Sequence, residues 1–342
     1  MKKTLLTICL VWMCFSLSAQ KIIDLSGKWS FSIDRQDNGE KEKWFSHTLN
    51  DFINLPGSMP EKLKGDEVTA KTQWTGSLYD SSYYYNPYME KYRKEGNIKF
   101  PFFLTPDKHY VGAAWYQKEV NIPADWKGER ILLFLERPHI ETTVWVNGQK
   151  TGMQNSLCVP HQYDITHYVR PGKCTITIRV DNRIKEINVG PDSHSITDQT
   201  QGNWNGIVGR ICLQTTPKTY FDDIQIYPEP EQKLARVKVV IKGTGTAKVK
   251  LSAESFNTDK KHIVPAIQQE IKLNKGVTET EMVLPMGNDM LLWDEFHPAL
   301  YKLKAEVTNG KKTEIKEIQF GMRRFEIKGK WFYVNGRKTQ LR

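Results

Sequence analysis

The 342-residue chain is long enough for two hydrophobic cores, and 39% hydrophobic with 11% aromatic residues suffices to fill them. Its net charge is +10, but Lys and Arg are interleaved with Asp and Glu along the whole chain, which excludes a nucleic-acid binder of the basic-stripe kind and leaves at most some attraction for acidic glycans. Beyond the first twenty residues only Cys158, Cys174 and Cys212 remain of the five Cys, with no metal-ligand spacing; they read as one disulfide plus a thiol or as three free thiols, and in neither case as catalytic groups.

The chain opens with MKKTLLTICLVWMCFSLSAQ: a basic start, an apolar run from Leu5 to Leu17, and small residues at Ser18 and Ala19. The run is too short to span a bilayer and has the form of a secretory leader, with cleavage expected after Ala19. An exported protein, periplasmic or extracellular, is therefore expected. No later segment is apolar and long enough to cross a membrane, and no membrane partner is expected.

After the leader, short runs with apolar residues at every second position dominate. TITIRV at 175–180, RVKVVIKG at 236–243, KVKLSA at 248–253 and YKLKAEV at 301–307 each bury one face and wet the other. Turn residues separate them, and no long stretch shows a helical period. The fold class is all-β, built of sandwiches. The stretch 56–110 is too long and irregular for an ordinary connection, and loops of that size inside a compact domain are usually functional. Its Trp74 and the Tyr83-Tyr84-Tyr85 run either line a glycan groove or close the side of the sandwich.

The loop SHSITDQTQGNWNGIVGR, 193–210, sets two amides, Asn203 and Asn205, beside Trp204. An indole can stack on a sugar face and amides can bond hydroxyls, although a core Trp with turn-capping amides has the same sequence. His194 and Asp198 in this loop lack a third ligand or a nucleophile and read as ordinary surface groups. A composition break at 216–220 divides a first domain, about 20–217, from a second, about 218–320. The chain closes on WFYVNGRKTQLR, a hairpin turning at Asn335-Gly336 with no evident sheet to join, which alone is expected to fray.

Several pieces recur in a telling order. They are Ala114-Trp115-Tyr116, the strand Val144-Trp145-Val146 turning at Asn147-Gly148, Asp164-Ile165-Thr166 ahead of Pro171-Gly172, and Trp204-Asn205-Gly206-Ile207. Leu292-Trp293, Pro298-Ala299-Leu300-Tyr301, Phe320-Gly321-Met322-Arg323 and Phe332-Tyr333-Val334-Asn335-Gly336 follow. Together they resemble the N-terminal region of glycoside hydrolase family 2, the β-galactosidases, β-glucuronidases and β-mannosidases. The resemblance implies a galactose-binding-like jelly-roll sandwich followed by an immunoglobulin-like β-sandwich, with 321–342 as the run-in to a (β/α)₈ barrel. It implies no cofactor.

Retaining glycosidases need two Glu carboxylates about 5 Å apart. The family carries them on barrel strands that would lie beyond Arg342, so the chain alone is expected to be inactive. Asp222-Asp223 and Asp294-Glu295 read as strand-end and turn residues. In the family's β-galactosidases and β-glucuronidases, an acidic residue six positions before the Gly of the loop contacts the sugar. This sequence has Thr200 there, with Asp198-Gln199 nearby, which puts galactoside-type or glucuronide-type recognition in doubt. The sugar-binding candidates are Asp198, Thr200, Asn203, Trp204, Asn205 and Trp74, with weak binding to an oligosaccharide or glycan expected. A free-standing carbohydrate-binding module, and a scaffold for a barrel supplied in trans, need the same sandwiches and stay open as alternatives.

Overall fold

The computed structural model describes residues 21–76, 81–100, 104–185, 193–194, 196–199 and 202–340. The expected leader, 1–19, and Thr200 lie outside the described residues. The chain divides into two compact units between Thr216 and Pro217.

The first unit is a jelly-roll sandwich of antiparallel strands. One sheet runs Ile22–Asp24, Gly206–Thr216, Arg130–Pro138, His161–Asp164, with Gly57–Ser58 added against Gly206 and Ile207. The other has six strands in the order Gln149–Asn155, Glu141–Val146, Gly172–Asp181, Ala113–Ile122, Gly27–Asp34, Asp51–Leu55. Residues at every second position meet between them: Trp29 and Phe31, Ile131, Leu133 and Leu135, Ile176, Ile178 and Val180. Alternation places these side chains on one face of each strand, and burying that face is the main driving force.

The outer face of the six-stranded sheet also carries aromatics. Trp115 stacks on Trp145 at 4.9 Å, and Leu49, Trp44 and Phe45 cover the pair. Gly39 allows the covering loop to approach so closely, because a Cβ there would lie 2.5 Å from the Trp115 indole nitrogen. Of the thiols, Cys158 is exposed and Cys174 and Cys212 are buried, all three free.

The second unit is an immunoglobulin-like sandwich built on a long ribbon. Leu234–Phe256 and Ile263–Pro285, 23 residues each, pair antiparallel, with register shifts between Gly243 and Gly245 and between Leu251 and Ala253. Tyr220–Glu229 pairs with the first half of Leu234–Phe256, and Leu300–Asn309, itself paired to Lys312–Phe320, with the second. One core gathers both halves: Val237, Val239 and Ile241 with Val249, Leu251, Tyr301 and Leu303. Here the alternation read from the sequence matches the buried face residue by residue.

The closing hairpin does find a sheet. Phe325–Lys328 pairs with Trp331–Val334, which pairs with Arg337–Thr339. Asn335, at the turn with φ 49°, binds three ways. Its N–H donates to the Arg324 carbonyl at 2.9 Å, its Oδ1 accepts from the Arg324 N–H at 2.9 Å, and its Nδ2 donates to the Trp293 carbonyl at 3.0 Å. The expectation of a hairpin with no sheet to join is thus corrected: FEIK is a third strand, and an amide side chain bolts the turn to the second unit.

Candidate functional site

The loop that enters Gly206–Thr216 is held by buried polar side chains. Asp198, 1% exposed, is its hub. Its Oδ2 accepts the Thr75 N–H at 2.6 Å and lies 3.3 Å from His109 Nε2, while its Oδ1 accepts the Asn203 N–H at 2.6 Å. Its own N–H donates to the Thr75 carbonyl at 3.0 Å, and its carbonyl accepts from the Leu104 N–H at 3.2 Å. One residue therefore ties the long insertion, with its carboxylate through Thr75 and His109 and with its carbonyl through Leu104, to a loop 89 residues beyond His109 and 123 beyond Thr75. A buried carboxylate persists only when its lone pairs are filled in this way.

Asn203 and Asn205 point inward. Asn203 Nδ2 donates to Thr75 Oγ1 and to the Asn182 carbonyl, both at 3.0 Å. Asn205 Nδ2 donates to the carbonyls of Gly112 at 2.9 Å and Val180 at 3.0 Å, and its Oδ1 accepts from the Tyr116 hydroxyl at 2.7 Å. Of the two readings of these amides, Asn205 takes the structural one, its capacity spent on backbone and Tyr116. Gly206 serves the fold too. With φ +144° it passes so near Gly57 that a Cβ would sit 2.5 Å from the Gly57 carbonyl oxygen.

Trp204, between the two buried amides, is half-buried. Its ring stacks on His139, centroids 4.5 Å apart and planes 19° apart. Burial pushes the His139 imidazole down to about 4, with nearby Asn203 and the Asp198 charge pulling back only in part, so the ring under Trp204 is neutral at ordinary pH. The half-buried indole is thus backed on one side by an uncharged ring.

Trp74 sits half-buried in the small core of the insertion, edge-on to Phe100 at 4.9 Å and tilted against His109 at 4.8 Å. Tyr83, fully buried, stacks on Phe100 at 4.4 Å, whereas Tyr85 and Tyr88 are exposed. The insertion closes on itself with its own aromatic cluster. Of the sequence candidates, Asp198, Asn203, Trp204 and Asn205 come together, and Trp74 joins them through His109 and the neighbouring Thr75. His109, His139 and Asn182 escaped the sequence reading; only their meeting in space gives them a role.

The acidic pairs elsewhere are occupied. Asp294 Oδ1 accepts the N–H groups of Phe296 and His297 at 2.8 Å, Glu295 pairs with Arg337 at 2.5 Å, and Asp222 pairs with Lys242 at 3.0 Å. They are turn and strand-end residues.

Comparison with known proteins agrees with this architecture. The sequence model described as "Glycosyl hydrolases family 2, sugar binding domain" matches residues 22–217, and that of "Glycosyl hydrolases family 2" matches 219–323. The chain is 24% identical over 339 residues to a β-glucuronidase of Paenibacillus borealis, covering 93% of this chain and 48% of the relative. It is likewise 24% identical over 326 residues to the β-galactosidase large subunit of Latilactobacillus sakei, again 93% against 48%. Among solved structures, the β-glucuronidase of Ruminococcus gnavus in complex with D-glucuronic acid superposes with a TM-score of 0.61 at 19% identity, over 94% of this chain and 49% of that one. The chain spans about half the length of the relatives it matches.

Proposed function

The chain belongs to glycosyl hydrolase family 2, and on that premise we propose that it is the non-catalytic N-terminal part of an exported β-glycosidase, whose hydrolysis of O-glycosidic bonds is performed by a barrel outside these residues. The observation that carries this reading is the consecutive match of two family domains over 22–323 in a chain half the length of its relatives. The described carboxylates support it, since Asp198 is buried in hydrogen bonds and the exposed acidic pairs are neutralised by cations or turn amides. None is a free pair set for acid/base work with a nucleophile.

In this reading Trp204 is the sugar-facing residue, and the Asp198 network sets the height and tilt of its loop. The closing three-stranded sheet is the run-in to the barrel. Its Phe325 and Ile327 stay 49% and 68% exposed, an apolar strip for the barrel to cover. Relatives include both β-glucuronidases and β-galactosidases, so the substrate is written here only as a β-glycoside.

The purified chain should release nothing from aryl β-galactosides, β-glucuronides or β-mannosides. Turnover that survives purification and inhibitor controls would place a catalytic pair within these residues and overturn the reading.

A further inference from the structure

The first unit holds a second place with the chemistry of a ligand site. A cleft of about 430 Å³ opens beside the insertion, within the size range of small-ligand sites. Its frame is the short ribbon that closes the ends of the insertion, where Asp66 faces His109 and Glu67 faces Lys108. Buried His109 and Tyr110 line it, with exposed Gln73 on the opposite stretch.

Its charges cancel in pairs. Arg35 Nε and Nη2 lie 3.0 and 2.5 Å from Asp66 Oδ1, and Lys108 pairs with Glu67 across the ribbon. Arg35 answers one of the two lining carboxylates and Lys108, outside the lining, neutralises the other, so the paired charges give little net attraction to an anion or a metal ion. It is nevertheless rich in hydrogen-bonding groups. Thr69 Oγ1 accepts the Lys71 N–H at 3.1 Å and Thr72 Oγ1 accepts the Thr69 N–H at 2.9 Å, so each hydroxyl is fixed as an acceptor to its own turn and keeps its hydrogen to donate. Carboxylate oxygens and the Gln73 amide add acceptors and donors, and the Tyr110 ring, with the Arg35 guanidinium 6.0 Å away, adds an apolar face. The Tyr110 hydroxyl is spent on the Ala113 carbonyl at 2.9 Å. Mixed donors and acceptors, one aromatic face and no net charge match a polyhydroxylated, uncharged ligand.

We propose that this cleft is a carbohydrate subsite for an uncharged sugar unit, separate from the Trp204 face and joined to it through His109, whose ring lines the cleft while its Nε2 touches the carboxylate that holds the Trp204 loop. The inference stands whether or not the Trp204 face binds sugar. It adds to a glycan-processing protein a second grip on an extended chain, on the insertion rather than on the jelly-roll loop.

Saturation-transfer difference NMR with methyl β-galactoside, methyl β-glucoside, methyl β-mannoside and glucuronate tests it. At least one neutral glycoside should receive saturation, with glucuronate no stronger. Gln73→Leu removes the exposed amide without touching a core, and Val111→Trp fills the cleft. Each should weaken the signal by about tenfold, worth about 1.4 kcal/mol, while Trp204→Ala retains it. Circular dichroism confirms that the variants are folded. Absence of transfer from all three neutral glycosides, preference for glucuronate, or a signal lost in Trp204→Ala yet intact in Gln73→Leu would overturn the proposal.

Discussion

The second sandwich and the rim of the first are held together by different means. In Leu234–Phe256 every second residue is apolar and buried over 235–241 and again over 247–253, and backbone pairing does the rest. Around Asp198 the backbone is irregular, and its orphan N–H and C=O groups are filled by the side chains of Asp198, Asn203, Asn205 and Asn182. A regular sheet satisfies its own polar groups, whereas an irregular loop needs buried side chains to do so. Precision at the rim therefore rests on a few polar atoms, and stability of the second sandwich on many interchangeable apolar ones.

Substitutions can break that contrast. Asp198→Ala strands two backbone donors and the His109 ring in a buried site, and should cost about 4 kcal/mol. Hydrogen exchange should rise together in 69–76 and 202–205, which the carboxylate links. If only one of the two segments loosens, Asp198 is not the hub. Leu251→Ala in the second sandwich should cost about 3 kcal/mol as a cavity, with exchange in both rim segments unchanged by calorimetry-matched conditions.

Acid should sharpen the contrast further. The His139 ring takes its proton near 6.5 when unfolded but only near 4 in the fold, where burial opposes the charge. Between those values the unfolded chain holds the extra proton, so stability falls as pH drops from about 6.5 to about 4 and levels off below. The loss is roughly 3 kcal/mol by linkage. His139→Gln should flatten this window in urea titrations; an unchanged slope would mean the ring is not buried neutral beneath Trp204.

The difference between the regions also decides what the sequence could reveal. RVKVVIKG and YKLKAEV announce their buried faces because a strand has period two and nothing competes with burial. Phe325 and Ile327 alternate in the same way, but a four-residue strand beside charged neighbours is too short to stand out, so the partner of the closing hairpin went unseen. The same period two, applied to Asn203-Trp204-Asn205, puts the amides on one side and the indole on the other. Reading all three as one sugar-binding face overlooked this. His109 and Asp198, 89 positions apart, carry no local signal, since their contact is created by the insertion folding back. Trp74 is visible as an aromatic in an odd place, but whether it faces a groove or the insertion's own core depends on Phe100 and Tyr83, which only folding brings to it.

The most direct test of the account is titration of the protein with plant and host oligosaccharides, followed by intrinsic Trp fluorescence and calorimetry, with and without Trp204→Ala. A single indole face without a second wall leaves most of a ligand in water, so affinity at this loop should be no better than roughly millimolar, about 4 kcal/mol. The component that quenches Trp fluorescence should vanish in Trp204→Ala while cooperative thermal unfolding is kept. Micromolar binding that persists undiminished in the folded Trp204→Ala variant would contradict the claim that the Asp198 network exists to hold Trp204 toward a sugar.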